Sequence, residues 1–263
     1  MAMTNVADID LAAPAVGALL ADFTEEAAAL ILPLWKSGLT VDAKADDSPV
    51  TEADRRAETL ILMRLAAAFP DIPVISEEDA SEFGVPGKIG PRFFLVDPLD
   101  GTKAFIRGDP NFTVNIALIE AGQAIAGAVT SPPSGETWFT GPGGAFKRRG
   151  GEAAPVRVRP WPKGEALALI SHTMKPEAMS ALKEEFGFAR AESMDSSIKL
   201  VRIAEGAADI YVRRGPTMEW DIAAGHAVLA AAGGRLTTAE DEPFVYGKAA
   251  EGFRNGPFIA RGG

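Results

Sequence analysis

Four acidic clusters sit at the expected ends of secondary-structure elements: Asp54, Glu77-Glu78-Asp79, Asp97-Pro-Leu-Asp100-Gly-Thr102 and Trp220-Asp221. A strand that stops at Asp97 and turns through Pro98 sets Asp97 and Asp100 on one side of a loop, where the Leu99 carbonyl can point the same way. Carboxylate, backbone carbonyl and water are the ligands that a hard divalent cation such as Mg²⁺ takes, usually shared with a substrate phosphate. Gathered without a cation, these carboxylates would repel one another and lose hydration. Two or three Mg²⁺ ions remove that penalty, and two ions about 3.5–4 Å apart activate a water, neutralise a phosphate and stabilise the leaving oxygen. The chemistry these residues predict is phosphate-ester hydrolysis without a covalent intermediate.

Gly101-Thr102 opens an expected short helix, and Asp221 opens an Ala-rich one closed by Gly233-Gly234. Free N–H groups at such helix starts suit a phosphate. The Thr102 hydroxyl can hold the attacking water, with Asp54 nearby to orient that hydroxyl and take up proton density, so that positioning carries most of the catalysis. Taken singly, each residue has a plainer reading: Asp54 as a helix cap, residues 77–79 as a solvated loop, Asp100-Gly101 as a turn and Asp221 as an N-cap. Trp220 reads as core, His226 as structural within the Ala-rich helix, and His172 as a surface or core residue. Their joint occurrence in one order along one chain favours the site.

The elements that must position these residues follow from periodicity. Residues 11–35 carry apolar side chains at helical spacing, residues 45–50 read as a polar loop, and Thr51-Glu-Ala-Asp54 reads as a capping box. That box opens a helix in which Ala57, Leu60, Ile61, Leu65 and Ala68 recur at three- and four-residue steps until Pro70 stops it. Strands are expected at 72–75 and 93–96, and a hairpin at 111–119 and 124–130 that Trp138 and Phe139 continue. The Gly- and Pro-rich stretch 141–162 reads as a subdomain boundary, dividing the chain into 1–150 and 151–263, and Lys147-Arg-Arg149 within it as a solvated turn. Beyond it come strand 166–170, helix 176–186, helix 197–205, strand 208–212, helix 221–232 and strands at 235–237 and 258–260. This alternation favours layered α/β packing.

With 263 residues, of which 47% are apolar, the chain is long enough for a substantial core. Its formal net charge of −10 argues against a nucleic-acid polymer or an anionic membrane as partner, so an anionic substrate must be captured locally. There is no cysteine, and His172 and His226 are the two histidines, which excludes disulfides, thiolate chemistry and Cys- or imidazole-rich metal sites. The acidic start does not read as a signal peptide, and the apolar run 27–35 is too short for a membrane span. A soluble, cytoplasmic protein is expected.

At the four acidic clusters the sequence resembles the inositol monophosphatase superfamily of Mg²⁺-dependent, Li⁺-sensitive phosphatases. The match runs through Ser48-Pro-Val-Thr-Glu-Ala-Asp54, Ser76-Glu-Glu-Asp79, Asp97-Pro-Leu-Asp-Gly-Thr102 and Trp220-Asp-Ile-Ala-Ala-Gly225. The resemblance implies an α/β, layered αβαβα sandwich of the inositol monophosphatase and fructose-1,6-bisphosphatase type. Within the superfamily the chain is most similar to the CysQ-type 3'(2'),5'-bisphosphate nucleotidases, through Val96-Asp-Pro-Leu-Asp-Gly-Thr-Lys-Ala-Phe-Ile106, Asn111-Phe-Thr-Val-Asn-Ile-Ala-Leu-Ile119, Ser171-His172, Ser196-Ser-Ile-Lys199 and Ala223-Ala-Gly-His-Ala-Val228. That implies removal of the 3'-phosphate of adenosine 3',5'-bisphosphate, giving AMP and phosphate and clearing a by-product of sulfate assimilation.

Carried over by motif, Glu77, Asp97, the Leu99 carbonyl, Asp100 and Asp221 would hold two or three Mg²⁺ ions. Thr102 and Asp54 would set the attacking water, with Glu77 also in the catalytic set, and Gly101 and Thr102 would contact the phosphate. His172, Ser196 and Lys199 fall where the family places nucleotide contacts, and Arg213 or Arg214 would meet the second phosphate. Ala104 stands where the family often has a glutamate. The resemblance further implies inhibition by Li⁺ and a monomer or homodimer. An inositol-1-phosphate phosphatase of the same superfamily is the nearest rival, although the basic stretch Tyr211-Val-Arg-Arg214 favours an extra phosphate over a polyol. A haloacid-dehalogenase-like aspartyl-phosphate enzyme differs in its Asp–Asp–Thr spacing, and a protein that binds cations only to staple its fold would release no phosphate.

Overall fold

The computed structural model describes residues 13–37, 41–43 and 49–263. The N-terminal segment judged for a leader, the start of the first expected helix, Ser48 and residues 45–47 of the expected loop lie outside these residues. The first helix, α1 (Ala13–Ser37), is followed by β1 (Val41–Ala43) and β2 (Pro49–Thr51), which pair antiparallel with Val41 opposite Thr51. Residues 49 and 50 are therefore strand and not loop: Pro49 opens the short strand, where a missing N–H costs little. Next come α2 (Glu52–Ala68), β3 (Val74–Ser76), α3 (Glu77–Phe83), β4 (Arg92–Asp100) and α4 (Thr102–Ile106). The meander β5 (Thr113–Glu120), β6 (Gln123–Ser131), β7 (Glu136–Gly141), β8 (Gly144–Arg149) and β9 (Glu152–Val156) completes a seven-stranded sheet in the order β3 to β9. Only β3 and β4 are parallel in it.

One expectation about residues 141–162 needs correcting, the solvated turn at Lys147-Arg-Arg149. The stretch holds β8 and β9, and its glycines at positions 143, 150 and 151 have positive φ and sit in the hairpin turns. The chain leaves the first sheet only after Val156, and the second begins at Leu167. Lys147-Arg-Arg149 lies on β8: Lys147 Nζ is 2.8 Å from both Glu136 and Glu205, and Arg148 is 2.7 Å from Asp22 on α1.

The remaining elements are β10 (Leu167–Ile170), α5 (Pro176–Phe186), β11 (Arg190–Ser193), α6 (Ile198–Ala204), β12 (Ile210–Arg213), β13 (Thr217–Met218), α7 (Glu219–Ala231), β14 (Arg235–Thr238), β15 (Arg254–Asn255) and β16 (Phe258–Arg261). A five-stranded sheet runs β11-β10-β12-β16-β14, and β13 pairs with β15. The first three strands of that sheet are parallel, and β16 is antiparallel to its neighbours.

Packing stacks these parts in five layers. α1 and α2 cover one face of the large sheet, α6 and α7 fill the space between the sheets, and α5 closes the outer face of the smaller one. Both faces of β4 are buried: Phe94 and Val96 point to the α1/α2 side, Phe93 and Leu95 to the α6/α7 side. This explains a continuous apolar run where a half-solvated strand would alternate with polar residues. Beyond its acidic first turn α7 is apolar on every face apart from His226, as suits a helix sandwiched between two sheets. Its small side chains permit close approach: a Cβ on Gly127 of β6 would lie 2.8 Å from the Ala224 carbonyl oxygen. The layered αβαβα sandwich expected from the resemblance is the fold observed.

Candidate active site

The site begins at an irregularity in β4. Asp97 pairs with Asn115 of β5, and the next pair is Asp100 with Thr113, so three steps on β4 match two on β5. In a regular strand residues three apart face opposite ways; the bulged extra residue turns Asp100 back to the side of Asp97. Pro98, with no N–H to offer, sits in the interruption. Asp97 is buried and its Oδ1 accepts the Leu99 N–H at 3.0 Å, while Asp100 Oδ2 accepts the Ser197 N–H. Gly101 follows with φ +96°, and a Cβ there would meet the Asn111 carbonyl oxygen at 2.9 Å. Only glycine can link this strand to α4.

α2 supplies the group beside Thr102. The expected capping box is present: Thr51 Oγ1 accepts the Ala53 N–H at 3.1 Å, and Asp54 Oδ2 accepts the Thr51 N–H at 2.8 Å. Asp54 Oδ1 faces Thr102 Oγ1 at 3.3 Å, and the Leu99 carbonyl oxygen lies 3.1 Å from the same hydroxyl. The helix cap and the contact with Thr102 are thus made by the two oxygens of one carboxylate. Thr102 has one proton to donate to these acceptors, which leaves its lone pairs to receive a donor such as water.

Glu77 is the first residue of α3; Glu78 turns inward and is buried, and Asp79 is exposed. Asp221 is the third residue of α7, which starts at Glu219 and so two residues earlier than expected. Its Oδ2 accepts the Met218 N–H at 2.8 Å. Trp220 is core, as read. His226 packs with Nδ1 2.9 Å from the Tyr246 hydroxyl, and burial lowers its pKa to about 4, in keeping with its structural reading.

A further part of the site comes from the second sheet. Ser196 holds φ +56°, a strained value for a non-glycine residue. Lys199 is 4% exposed, and its Nζ donates to the carbonyls of Ser196 at 2.6 Å and Met194 at 3.1 Å. Burial lowers the Lys199 pKa to about 8 against the opposing pull of Asp100 and Asp195. Burial likewise raises Asp100 to about 6, with Lys199 and the Ser197 N–H pulling down and Glu77 pushing up, and it raises Asp221 well above the carboxylate range, helped by Asp100 and Glu77.

One cavity of about 420 Å³ gathers Glu77, Asp97, Leu99, Asp100, Gly101 and Thr102 from β4 and the helices beside it. His172, Ser196 and Arg213, from the ends of the second sheet's strands and the loops after them, and Asp221 of α7 line the same cavity. Lys199 lines a smaller adjoining cavity of about 120 Å³ that shares Asp100, Ser196, Arg213 and Asp221. Asp54 reaches the site through Thr102. Of the two arginines, Arg213 faces the cavity, whereas Arg214 is exposed and bonded to Glu185 at 2.6 and 2.7 Å. Lys103, Arg107 and Asp195 also line the cavity and escaped the sequence reading. Arg107 is 2.7 Å from Asp195, a contact across 88 residues that nothing local announces. A larger cavity, about 510 Å³ between α5 and β16, contains none of these groups.

Glu77, Asp97, Asp100 and Asp221, with the Leu99 backbone carbonyl, are the donor chemistry of a hard divalent cation. Among the described residues, no three Asp, Glu or His side chains form a closed cation cluster. Asp97, Asp100 and Asp221 are instead anchored one by one to the N–H groups of Leu99, Ser197 and Met218. The raised pKa values of Asp100 and Asp221 record buried carboxylates crowded together, a charge that a cation would balance. The residues present fit Mg²⁺.

Comparison with known proteins bears on this geometry. The model of the inositol monophosphatase family matches residues 16–257. The 3'(2'),5'-bisphosphate nucleotidase CysQ of Salmonella typhimurium is 42% identical over 193 residues, covering 73% of this chain and 77% of that protein. Its counterpart in Escherichia coli K12 is 41% identical over 208 residues, 79% and 83% of the two chains. Among solved structures, CysQ from Bacteroides thetaiotaomicron superposes with a TM-score of 0.77 at 31% identity, covering 96% of this chain and 99% of that one. The IMPase of Thermotoga maritima gives 0.74 at 26% identity, covering 92% and 89%. Similarity along nearly the whole chain, in both sequence and fold, places it: the protein belongs to the inositol monophosphatase family and is a phosphatase of that superfamily.

Proposed function

We propose that the enzyme is a Mg²⁺-dependent phosphomonoesterase that converts adenosine 3',5'-bisphosphate and water to AMP and inorganic phosphate. The observation that carries this reading is one cavity lined both by Glu77, Asp97, Asp100 and Asp221 and by Arg213, with Lys199 lining a smaller cavity that adjoins it. The carboxylates suit cations with a reacting phosphate, the basic groups a further anionic group. The similarity to proteins named as CysQ nucleotidases supports the choice of substrate.

Glu77, Asp97, the Leu99 carbonyl, Asp100 and Asp221 would hold the ions, two or three in number. Bound Mg²⁺ supplies Lewis acidity, lowering the pKa of a water and offsetting phosphate charge. Thr102 donates its proton to Asp54 or to the Leu99 carbonyl, and its lone pairs accept one proton of the attacking water, aiming the water oxygen at phosphorus. A bond forms from that oxygen to phosphorus, the bond to the ribose 3'-oxygen breaks, and a water proton ends on the 3'-hydroxyl. The Gly101 and Thr102 backbone contacts the reacting phosphate. Lys199 and Arg213 meet the 5'-phosphate, while Ser196 and His172 contact the nucleoside. Li⁺ inhibits by competing for the carboxylates. We place the enzyme in the cytoplasm; among the described residues no helix is long and apolar enough to cross a membrane.

Phosphate release from adenosine 3',5'-bisphosphate, inositol 1-phosphate and fructose 1,6-bisphosphate, each with and without Li⁺, tests the reading. The nucleotide is expected to lead in kcat/KM by about tenfold or more, a margin that one extra ion-paired phosphate can supply. A preference of that size for inositol 1-phosphate would overturn the substrate, and no release from any of the three would leave a cation-stapled fold without this activity.

A further inference from the structure

Glu58 lies four residues beyond Asp54 on α2, hence on the same face one turn on. It is 7% exposed, and its Oε1 accepts the N–H groups of Glu78 at 3.0 Å and Asp79 at 3.3 Å. Those two donors belong to the first turn of α3, where N–H groups have no partner within their own helix. Glu77, on the wall of the cavity, is the first residue of that turn. A single stretch of helix therefore touches both halves of the water-handling machinery: Asp54 bonds Thr102, and Glu58 holds the turn that presents Glu77.

We propose that Glu58 is a positioning residue: by accepting the Glu78 and Asp79 N–H groups it fixes the direction of Glu77, with α2 as the rigid spacer between Glu77 and Thr102. The inference rests on the reading of Glu77 as a cation ligand. What matters is an acceptor oxygen at this place, because truncation removes the partner of two first-turn N–H groups, the Glu78 one buried, and leaves the turn free to re-aim. Outer-shell partners of metal ligands commonly control affinity in this way.

Calorimetric titration of the full chain with Mn²⁺, alongside the Mg²⁺ dependence of turnover, tests it. Glu58→Leu keeps bulk but has no acceptor; Mn²⁺ affinity is expected to fall about tenfold or more and the Mg²⁺ half-saturation to rise by a similar factor. KM for the phosphomonoester at saturating Mg²⁺ should stay within about threefold, a split that general loosening of the fold would not give. Glu58→Gln retains a carbonyl oxygen and should stay within about threefold of the parent in Mn²⁺ affinity. A folded Glu58→Leu with parental Mn²⁺ affinity, or a Glu58→Gln as impaired as Glu58→Leu, would overturn the proposal. Should the leucine variant not fold, hydrogen exchange on the parent protein decides: the Glu78 and Asp79 amides must be protected, and exchange at the rate of an open loop would refute the role. Glu77→Gln separates the two ideas. Parental Mn²⁺ affinity in that variant sinks the ligand reading of Glu77 and this inference with it, whereas loss in Glu77→Gln but not in Glu58→Leu sinks the inference alone.

Discussion

On the wall of the cavity that comes from the seven-stranded sheet, regular secondary structure and main-chain hydrogen bonds anchor the chemistry. Asp97 and Asp100 are set by a bulge registered against β5, Asp54 by a capping box, and Glu77 by the start of α3. The wall from the five-stranded sheet is made at strand ends and in loops: His172 is exposed, Ser196 holds a positive φ, and Arg213 donates to the nearby carbonyls of Gly215 and Pro216, each at 3.3 Å. The contrast separates two tasks. Under the proposed function, the groups assigned to the reacting phosphate sit on rigid elements, and those assigned to ligand choice sit at strand ends and in loops that can vary.

If that division holds, damage to the first wall lowers turnover and damage to the second raises KM. The largest effect is expected from Asp100→Asn, which removes a charged oxygen from the cation site and should lower kcat on the order of 100-fold or more. Near-parental turnover in steady-state assays would break the comparison at its strongest point. Next, Gly101→Ala forces a Cβ against the Asn111 carbonyl at φ +96°. Activity should drop about tenfold, with stability falling by roughly 1–3 kcal/mol in thermal or urea unfolding. An alanine tolerated without loss in either measurement would mean that the strand-to-α4 link is not strained. Arg213→Ala sharpens the other side: KM for adenosine 3',5'-bisphosphate should rise about tenfold, while kcat and turnover of a small phosphomonoester move by less than about threefold. A fall in kcat with KM unchanged would put Arg213 on the wrong wall.

The smallest expected effect lies outside the cavity. Burial depresses the folded-state pKa of His226 to about 4, so the unfolded chain binds its proton first. The contribution of His226 is complete above about 6.5 and declines as pH falls towards 4, by roughly 1–3 kcal/mol at most. His226→Gln should flatten that part of the stability–pH curve measured by denaturant unfolding. Identical curves for the two proteins would refute the assignment.

Much of the site could be read before the fold was known, because oxygen donors at element ends constrain chemistry whatever the topology. The capping box at Thr51–Asp54 and the short helix after Gly101 are local signals, and both stand as read. That Asp97 and Asp100 share a side was also legible, but its cause was not. A bulge exists only relative to a partner strand, and β5 enters 13 residues later. Choosing Arg213 over Arg214 likewise needs the end of β12, which stops at Arg213 with Arg214 just beyond it. Glycines between 141 and 162 serve hairpin turns as readily as linkers, and only strand pairing tells the two apart. Glu58 offered a faint clue in its four-residue offset from Asp54, and Ser197, which donates to Asp100 from 97 residues away, offered none.

The central claim is that segments distant in sequence bring carboxylates together around cations that act on a phosphoryl group. Its most direct test is phosphate release from adenosine 3',5'-bisphosphate after chelation of divalent cations and again after Mg²⁺ is restored. The account predicts loss of turnover to background on chelation and full recovery with Mg²⁺; undiminished release in the chelated enzyme would contradict it.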